Sequence, residues 1–104
     1  MNDTSAQRKP IVIIHGGAWA IPDKLCEESK AGVKLAAKKA YEMLKCGRSA
    51  IDAVESAVAL LEDNPVFDAG KGSCLNSDGG IEMDALIMDG TTLKSGNYTS
   101  TVFC

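Results

Sequence analysis

The sequence is short of the groups that carry most recognisable chemistries. It has a single histidine, His15, and four cysteines, Cys26, Cys46, Cys74 and Cys104, none in a C-x-x-C pair. That spacing forms no zinc-finger pattern, and buried or incidental thiols are expected rather than a metal or redox centre. Basic residues are not in excess: 11 Lys+Arg face 14 Asp+Glu, a net charge of −3. No basic excess is therefore available to neutralise a phosphate backbone, and no nucleic acid is expected as a partner. No apolar run approaches the ~20 residues of a membrane-spanning helix, so no membrane is expected either. Met1 to Lys9 lacks the apolar stretch of a secretory signal, which points to the cytoplasm and reduced thiols. There is no G-x-S-x-G elbow, no phosphate loop of the order G-x-x-x-x-G-K-[ST], no internal repeat and no low-complexity segment. What is present, 45% hydrophobic and 24% charged residues, is the composition of one globular domain.

Residues 1–9 read as a flexible tail, and 10–104 as the domain. Ile11-Val12-Ile13-Ile14 is a β-branched run suited to a strand buried on both faces. It breaks at His15-Gly16-Gly17, where two glycines allow positive φ or close backbone approach. Asp23 can cap a helix whose apolar face is Val33, Ala36, Ala37, Ala40, Tyr41 and Leu44, with Gly47 placed as its C′ glycine. Ser49 starts a second helix, with Asp52 three residues on as a variant capping box. Ile51, Val54, Val58 and Leu61 form its stripe, and Ala50, Ala53 and Ala57 allow close approach to a neighbour. Asn64-Pro65 stops it. Six of the ten glycines then lie at Gly70 or later. Cys74-Leu75-Asn76 and Ile81 to Met88 read as a hairpin around Ser77-Asp78-Gly79-Gly80. Asn97 to Phe103 is a further strand, within which the chain stops. The fold class is α+β, and the edge it leaves looks like that of half a fold.

Three places offer chemistry. His15 closes a strand before two glycines, which allows a general base but fits better a histidine that bonds backbone to fix the turn. Glu82 and Asp84, two apart on a strand, share one face; paired carboxylates can transfer protons or hold a cation, and also suit a solvated face. Asp68 lies in Phe67-Asp68-Ala69-Gly70-Lys71-Gly72-Ser73, a loop able to present carbonyls or amides to a ligand. No nucleophile–base pair can be picked out from pattern alone.

The order of the motifs says more. Ile13-Ile14-His15-Gly16-Gly17-Ala18-Trp19 is followed by Ser49-Ala50-Ile51-Asp52-Ala53-Val54-Glu55. Next come the stretch Leu61 to Ser73, then Leu75-Asn76, then Glu82 to Gly90. Together, from about Pro10 to Gly96, they resemble the start of the plant-type asparaginases, the isoaspartyl peptidase/L-asparaginase family of N-terminal nucleophile hydrolases. Glycosylasparaginases and threonine aspartases share parts of this pattern, but His15-Gly16-Gly17 and the Leu61 to Ser73 loop favour the asparaginase branch. The resemblance implies an αββα sandwich, here partial, from a precursor that cuts itself into an α and a β chain. It implies an N-terminal threonine of the β chain as nucleophile, with its own amine as base. L-Asparagine and β-aspartyl dipeptides are the implied substrates, and the β-chain half and a second αβ unit, giving (αβ)2, the implied partners. No organic cofactor is implied.

This chain resembles only the α part. The nucleophilic threonine is absent: Thr101-Val102 lacks the flanking glycines, and Gly90-Thr91 follows a strand end that the family leaves uncut. The chain alone is therefore expected to be inert, and a non-catalytic product that binds a full-length partner, or fails to fold, is the alternative. Its own contribution is support. By resemblance, the carbonyls of Leu61, Glu62, Asn64, Phe67, Ala69 and Lys71 wrap a structural sodium ion, while His15, Gly16, Gly17 and Asp68 buttress the site. The family usually has asparagine where Asp68 stands. An aspartate there pairs with the nucleophile's ammonium and weakens it as a base, so slower turnover is expected.

Overall fold

A computed structural model describes residues 8–103. The tail expected at residues 1–9 lies outside the described residues except for Arg8 and Lys9, as does Cys104. Two helices, α1 (Asp23–Lys45) and α2 (Ala50–Asp63), precede a short 3₁₀ turn at Gly70–Gly72 and two strands, β1 (Gly80–Met88) and β2 (Ser95–Phe103). The strands form one antiparallel pair, in register from Gly80 opposite Phe103 to Met88 opposite Ser95.

The helices end where side-chain chemistry dictates. Gly47 takes φ +84. Its N–H donates to the Leu44 carbonyl at 3.1 Å, and that of Arg48 to the Met43 carbonyl at 3.0 Å. This is a Schellman closure, which a residue with a Cβ would strain. The Ser49 hydroxyl then accepts from the Asp52 N–H at 3.1 Å and caps α2, while Arg48 reaches the Asp52 carboxylate at 3.2 Å. The expected cap of α1 is corrected. Pro22 occupies the cap position, no side chain caps the helix, and Asp23 is its first residue; proline's fixed φ and missing N–H suit a helix start.

The core sits between the helices and is built of small residues. Ala36 and Ala40 of α1 meet Ala53 and Ala57 of α2, with Val12, Ile14, Met43, Leu44, Leu60 and Leu61 packed around them. The apolar face read for α1 is thus the one it buries. For α2 the alanines expected to allow close approach do so: Ala53 and Ala57 lie in the core, with Leu61 of the expected stripe packed against it. Val54 and Val58 of that stripe are instead exposed and line a groove of about 620 Å³ against Leu86, Ile87 and Tyr98 of the hairpin. Small side chains win the helix contact because they let two backbones approach; the branched ones are left for a second surface.

Two further expectations are corrected. Ile11 to Ile14 is extended but pairs with no strand among the described residues. Only Val12 and Ile14 pack inwards, while Ile11 and Ile13 stay 84% and 88% exposed; a run apolar on both sides has a neighbour on one side only. Cys74 to Asn76 is not a strand, and the partner of β1 is β2. The turn at Ser77 to Gly80 does exist, but it leads into β1 rather than joining two strands. Among the described residues no helix is long and apolar enough to cross a membrane.

Candidate functional site

The loop from the end of α2 to the start of β1 is folded around Phe67. Phe67 is 7% exposed, with two glycines against its ring and a third against its carbonyl. A Cβ on Gly32 of α1 would lie 2.6 Å from the ring, one on Gly16 3.2 Å from it, and one on Gly72 would collide with the Phe67 carbonyl. Gly16 therefore serves the loop through close packing, whereas Gly17, at φ +110, serves the turn. Gly70 is required twice over: it takes φ +53, and a Cβ there would sit 2.5 Å from the Glu62 carbonyl. The chain thus doubles back so that the carbonyls of Glu62 and Phe67 are approached by backbone alone. Asn64 adds a local clasp, its Oδ1 accepting from the Val66 N–H at 3.1 Å.

This folding presents an acidic cleft of about 320 Å³. Glu62 and Asp68 line it together with Glu82 and Asp84 of β1, Ser73 and Cys74. Glu82 and Asp84, two apart on β1, both border the cleft that Asp68 borders. The Asp68 Oδ1 accepts from the Cys74 N–H at 2.8 Å. The same carboxylate pushes the Cys74 thiol pKa up, first by hydrogen bonding to the thiol, then by its charge, then through slight desolvation. Lys71 points out of the loop, its Nζ 3.6 Å from Asp63.

His15 is not brought to this cleft. Its Nδ1 accepts from the Gly17 N–H at 3.1 Å, the turn-fixing role read from sequence, and it borders a separate cavity between the extended Ile11 to Ile14 segment and α2. The tie between the two regions is Gly16 against Phe67. Two residues of the loop carry more than their sequence suggested. The Phe67 ring, expected only for its carbonyl, is the centre of the packing. Asn76 locks the turn before β1. Its Oδ1 accepts from Asp78 and Gly80 at 3.0 and 2.8 Å, and its own N–H donates to the Gly80 carbonyl at 2.7 Å. An asparagine two residues before an Asp-Gly turn is the signal that could have found it.

Among the described residues no group of three or more His, Cys, Asp or Glu is placed to hold a metal ion. The loop offers backbone carbonyls instead. Those of Leu61, Asn64 and Ala69 already accept one N–H each, from Asn64, Phe67 and Gly72, and each keeps a second lone pair.

A folded-back carbonyl loop after a helix, a histidine-fixed double-glycine turn packed against it and a carboxylate-bearing strand beside it form one arrangement, and residues 8–101 match the family described as Asparaginase. The chain belongs to that family. It is 59% identical over 87 residues to an isoaspartyl peptidase/L-asparaginase of Danio rerio, covering 84% of this chain and 28% of the relative. Against the Homo sapiens protein of that name the figures are 51% over 96 residues, 91% and 31%. A plant-type L-asparaginase of Pyrococcus abyssi is 49% identical over 86 residues, 82% and 28%. The chain thus spans about three tenths of the length of the curated relatives it matches.

Proposed function

We propose that this chain is the supporting part of a self-processing hydrolase that cleaves L-asparagine and β-aspartyl dipeptides. The observation that carries this is the loop closed on Phe67 with Asp68 at its lip, in a chain half or more identical to relatives of that name. Both substrate types hold a side-chain carbonyl bonded to nitrogen. In this reading a threonine hydroxyl of a β-chain partner attacks that carbonyl. The threonine's own α-amine takes the proton, its ordinary pKa of ~7.7–8.0 being suited to the task. Ammonia or an amino acid leaves, and water releases aspartate. The two helices and the hairpin are then a portion of an αββα sandwich completed by that partner, two such αβ units pair, and the work is cytoplasmic.

The residues of this chain hold and orient. The carbonyls of Leu61, Glu62, Asn64, Phe67, Ala69 and Lys71 are suited to a sodium ion that stiffens the loop, since carbonyl oxygens are hard ligands. Asp68 accepts from the Cys74 N–H and bonds the Cys74 thiol, and its charge favours a cationic neighbour. An α-amine beside it stays protonated to higher pH and is less available as a base, so Asp68→Asn in the completed enzyme raises kcat at neutral pH, with KM changed less; an unchanged kcat would contradict this. The 104 residues alone lack the nucleophile and hydrolyse neither substrate. Release of aspartate by the purified chain in proportion to its concentration would overturn that.

A second reading is supported by the two-stranded sheet and its unpaired edges: a non-catalytic product that binds a full-length relative. Co-purification with a tagged full-length relative, lost when β2 is deleted, is its expected signature.

A further inference from the structure

We infer that the Asp89–Gly90 bond at the tip of the β1–β2 hairpin is a site of spontaneous isoaspartate formation, selected by the fold over the other Asp-Gly pair, Asp78–Gly79. The inference is independent of the proposed activity. The reaction needs the backbone nitrogen following an aspartate to attack that aspartate's side-chain carboxyl carbon. Glycine at the following position leaves the nitrogen sterically open, so the sequence alone offers both pairs equally.

The structure separates them. The Asp89 Oδ1 accepts from the Thr91 N–H at 2.9 Å. An oxygen bonded two residues ahead closes an Asx turn, which folds the carboxyl back over the intervening Gly90 nitrogen. That nitrogen has no hydrogen-bond partner among the described residues, and the tip around it, residues 90–94, is exposed. At the other pair the Gly79 N–H, the would-be nucleophile, is engaged, donating to the Asn76 carbonyl at 3.0 Å. Asn76 also holds the amides on either side, those of Asp78 and Gly80, so the turn resists the rotation that attack requires.

The step balances without an added reagent. The Gly90 nitrogen forms a bond to the Asp89 side-chain carbon, the carboxyl C–O bond breaks, and one water leaves with the amide proton and one further proton. The five-membered imide then takes up water. Addition at its side-chain carbonyl restores aspartate. Addition at its main-chain carbonyl leaves the backbone running through the side chain, longer by one methylene. That product cannot keep both pairings of Asp89, whose N–H donates to the Lys94 carbonyl at 2.9 Å and whose carbonyl accepts from Leu93 at 2.7 Å. Formation therefore loosens the tip.

The test is ageing of the full 104-residue chain at neutral pH and body temperature, followed by digestion and electron-transfer fragmentation to locate isoaspartate. In native buffer Asp89 is expected to convert several-fold faster than Asp78, with a transient species lighter by one water at the same site. In strong denaturant the two rates are expected to converge. Gly90→Ala tests the mechanism without disturbing the turn, because a Cβ there meets nothing within 4 Å, and it should slow conversion at Asp89 several-fold. Equal native rates, faster conversion at Asp78, or indifference to Gly90→Ala would each overturn the inference.

Discussion

Phe67 concentrates more of the loop's structure than any other residue, and its surroundings define sharp tests. Gly32→Ala puts a methyl where the ring already sits, and Phe67→Ala empties the space between Gly16 and Gly32. Removing a buried aromatic costs about 3–5 kcal/mol in a well-packed core, and the lower end applies to so small a cluster. Both variants should speed exchange of the amides of residues 64–73 with solvent while leaving those of α1 as they are in the parent chain; unchanged exchange in the loop would show that the ring does not organise it. Cys74 reports on Asp68. Because its pKa is raised, the neutral thiol is favoured in the fold. The associated stability is present below the ordinary thiol pKa, about 8.5, and is lost as pH rises through the elevated folded value. Asp68→Asn removes the charge, so Cys74 should be alkylated faster at mildly alkaline pH, read by mass spectrometry against Cys46 in the same sample. The place of Asp68 in a loop carrying two glycines was legible in the sequence. The Phe67 ring and Asn76 were not, because their importance lies in contacts with Gly32, Gly72 and Gly80 that no local pattern encodes.

At the scale of elements, the helices were readable and the strands only partly. Gly47 and Ser49 carry their signals in the local sequence, and both act as the residue types require. Ser49→Ala should cost about 1 kcal/mol, seen as roughly fivefold faster exchange of the first α2 amides; no change would mean that the cap is not the hold on that turn. Along α2 the close approach at Ala53 and Ala57 and the packing of Leu61 follow the sequence, whereas Val54 and Val58 do not, because the contact with α1 is decided by closeness rather than hydrophobicity. Ile11 to Ile14 reads as a strand from composition, but a strand is defined by its neighbours, and none pairs with it here. The β1–β2 pairing was hidden by the Cys74 segment, which mimics a strand beside a turn that Asn76 closes by itself. The hairpin tip holds Leu93 at φ 61, a left-handed conformation costing an L-residue about 1–2 kcal/mol. Leu93→Gly should therefore tighten the tip, measured as slower exchange of the Asp89 and Leu93 amides.

The whole molecule exposes more than its mass warrants. Its accessible surface is 8186 Å², against roughly 5,600 Å² for a folded monomer of 10.9 kDa. Its radius of gyration is 16.4 Å, against about 13 Å for a compact chain of this length. The core between its helices is built on four small side chains, Ala36, Ala40, Ala53 and Ala57. Circular dichroism in a denaturant series should accordingly show a gradual loss of helix with no single cooperative transition; a sharp two-state transition in a monomer would show that these residues are self-sufficient.

The proposed supporting role is tested most directly by a graft: the 87 residues that align with the Danio rerio relative replace their counterparts in it, and aspartate release from a β-aspartyl dipeptide is measured. Self-cleavage of the graft and hydrolysis slower than the parent's, rising with Asp68→Asn, is the expected result. A graft that folds and cleaves itself yet hydrolyses nothing, with or without that substitution, would contradict it.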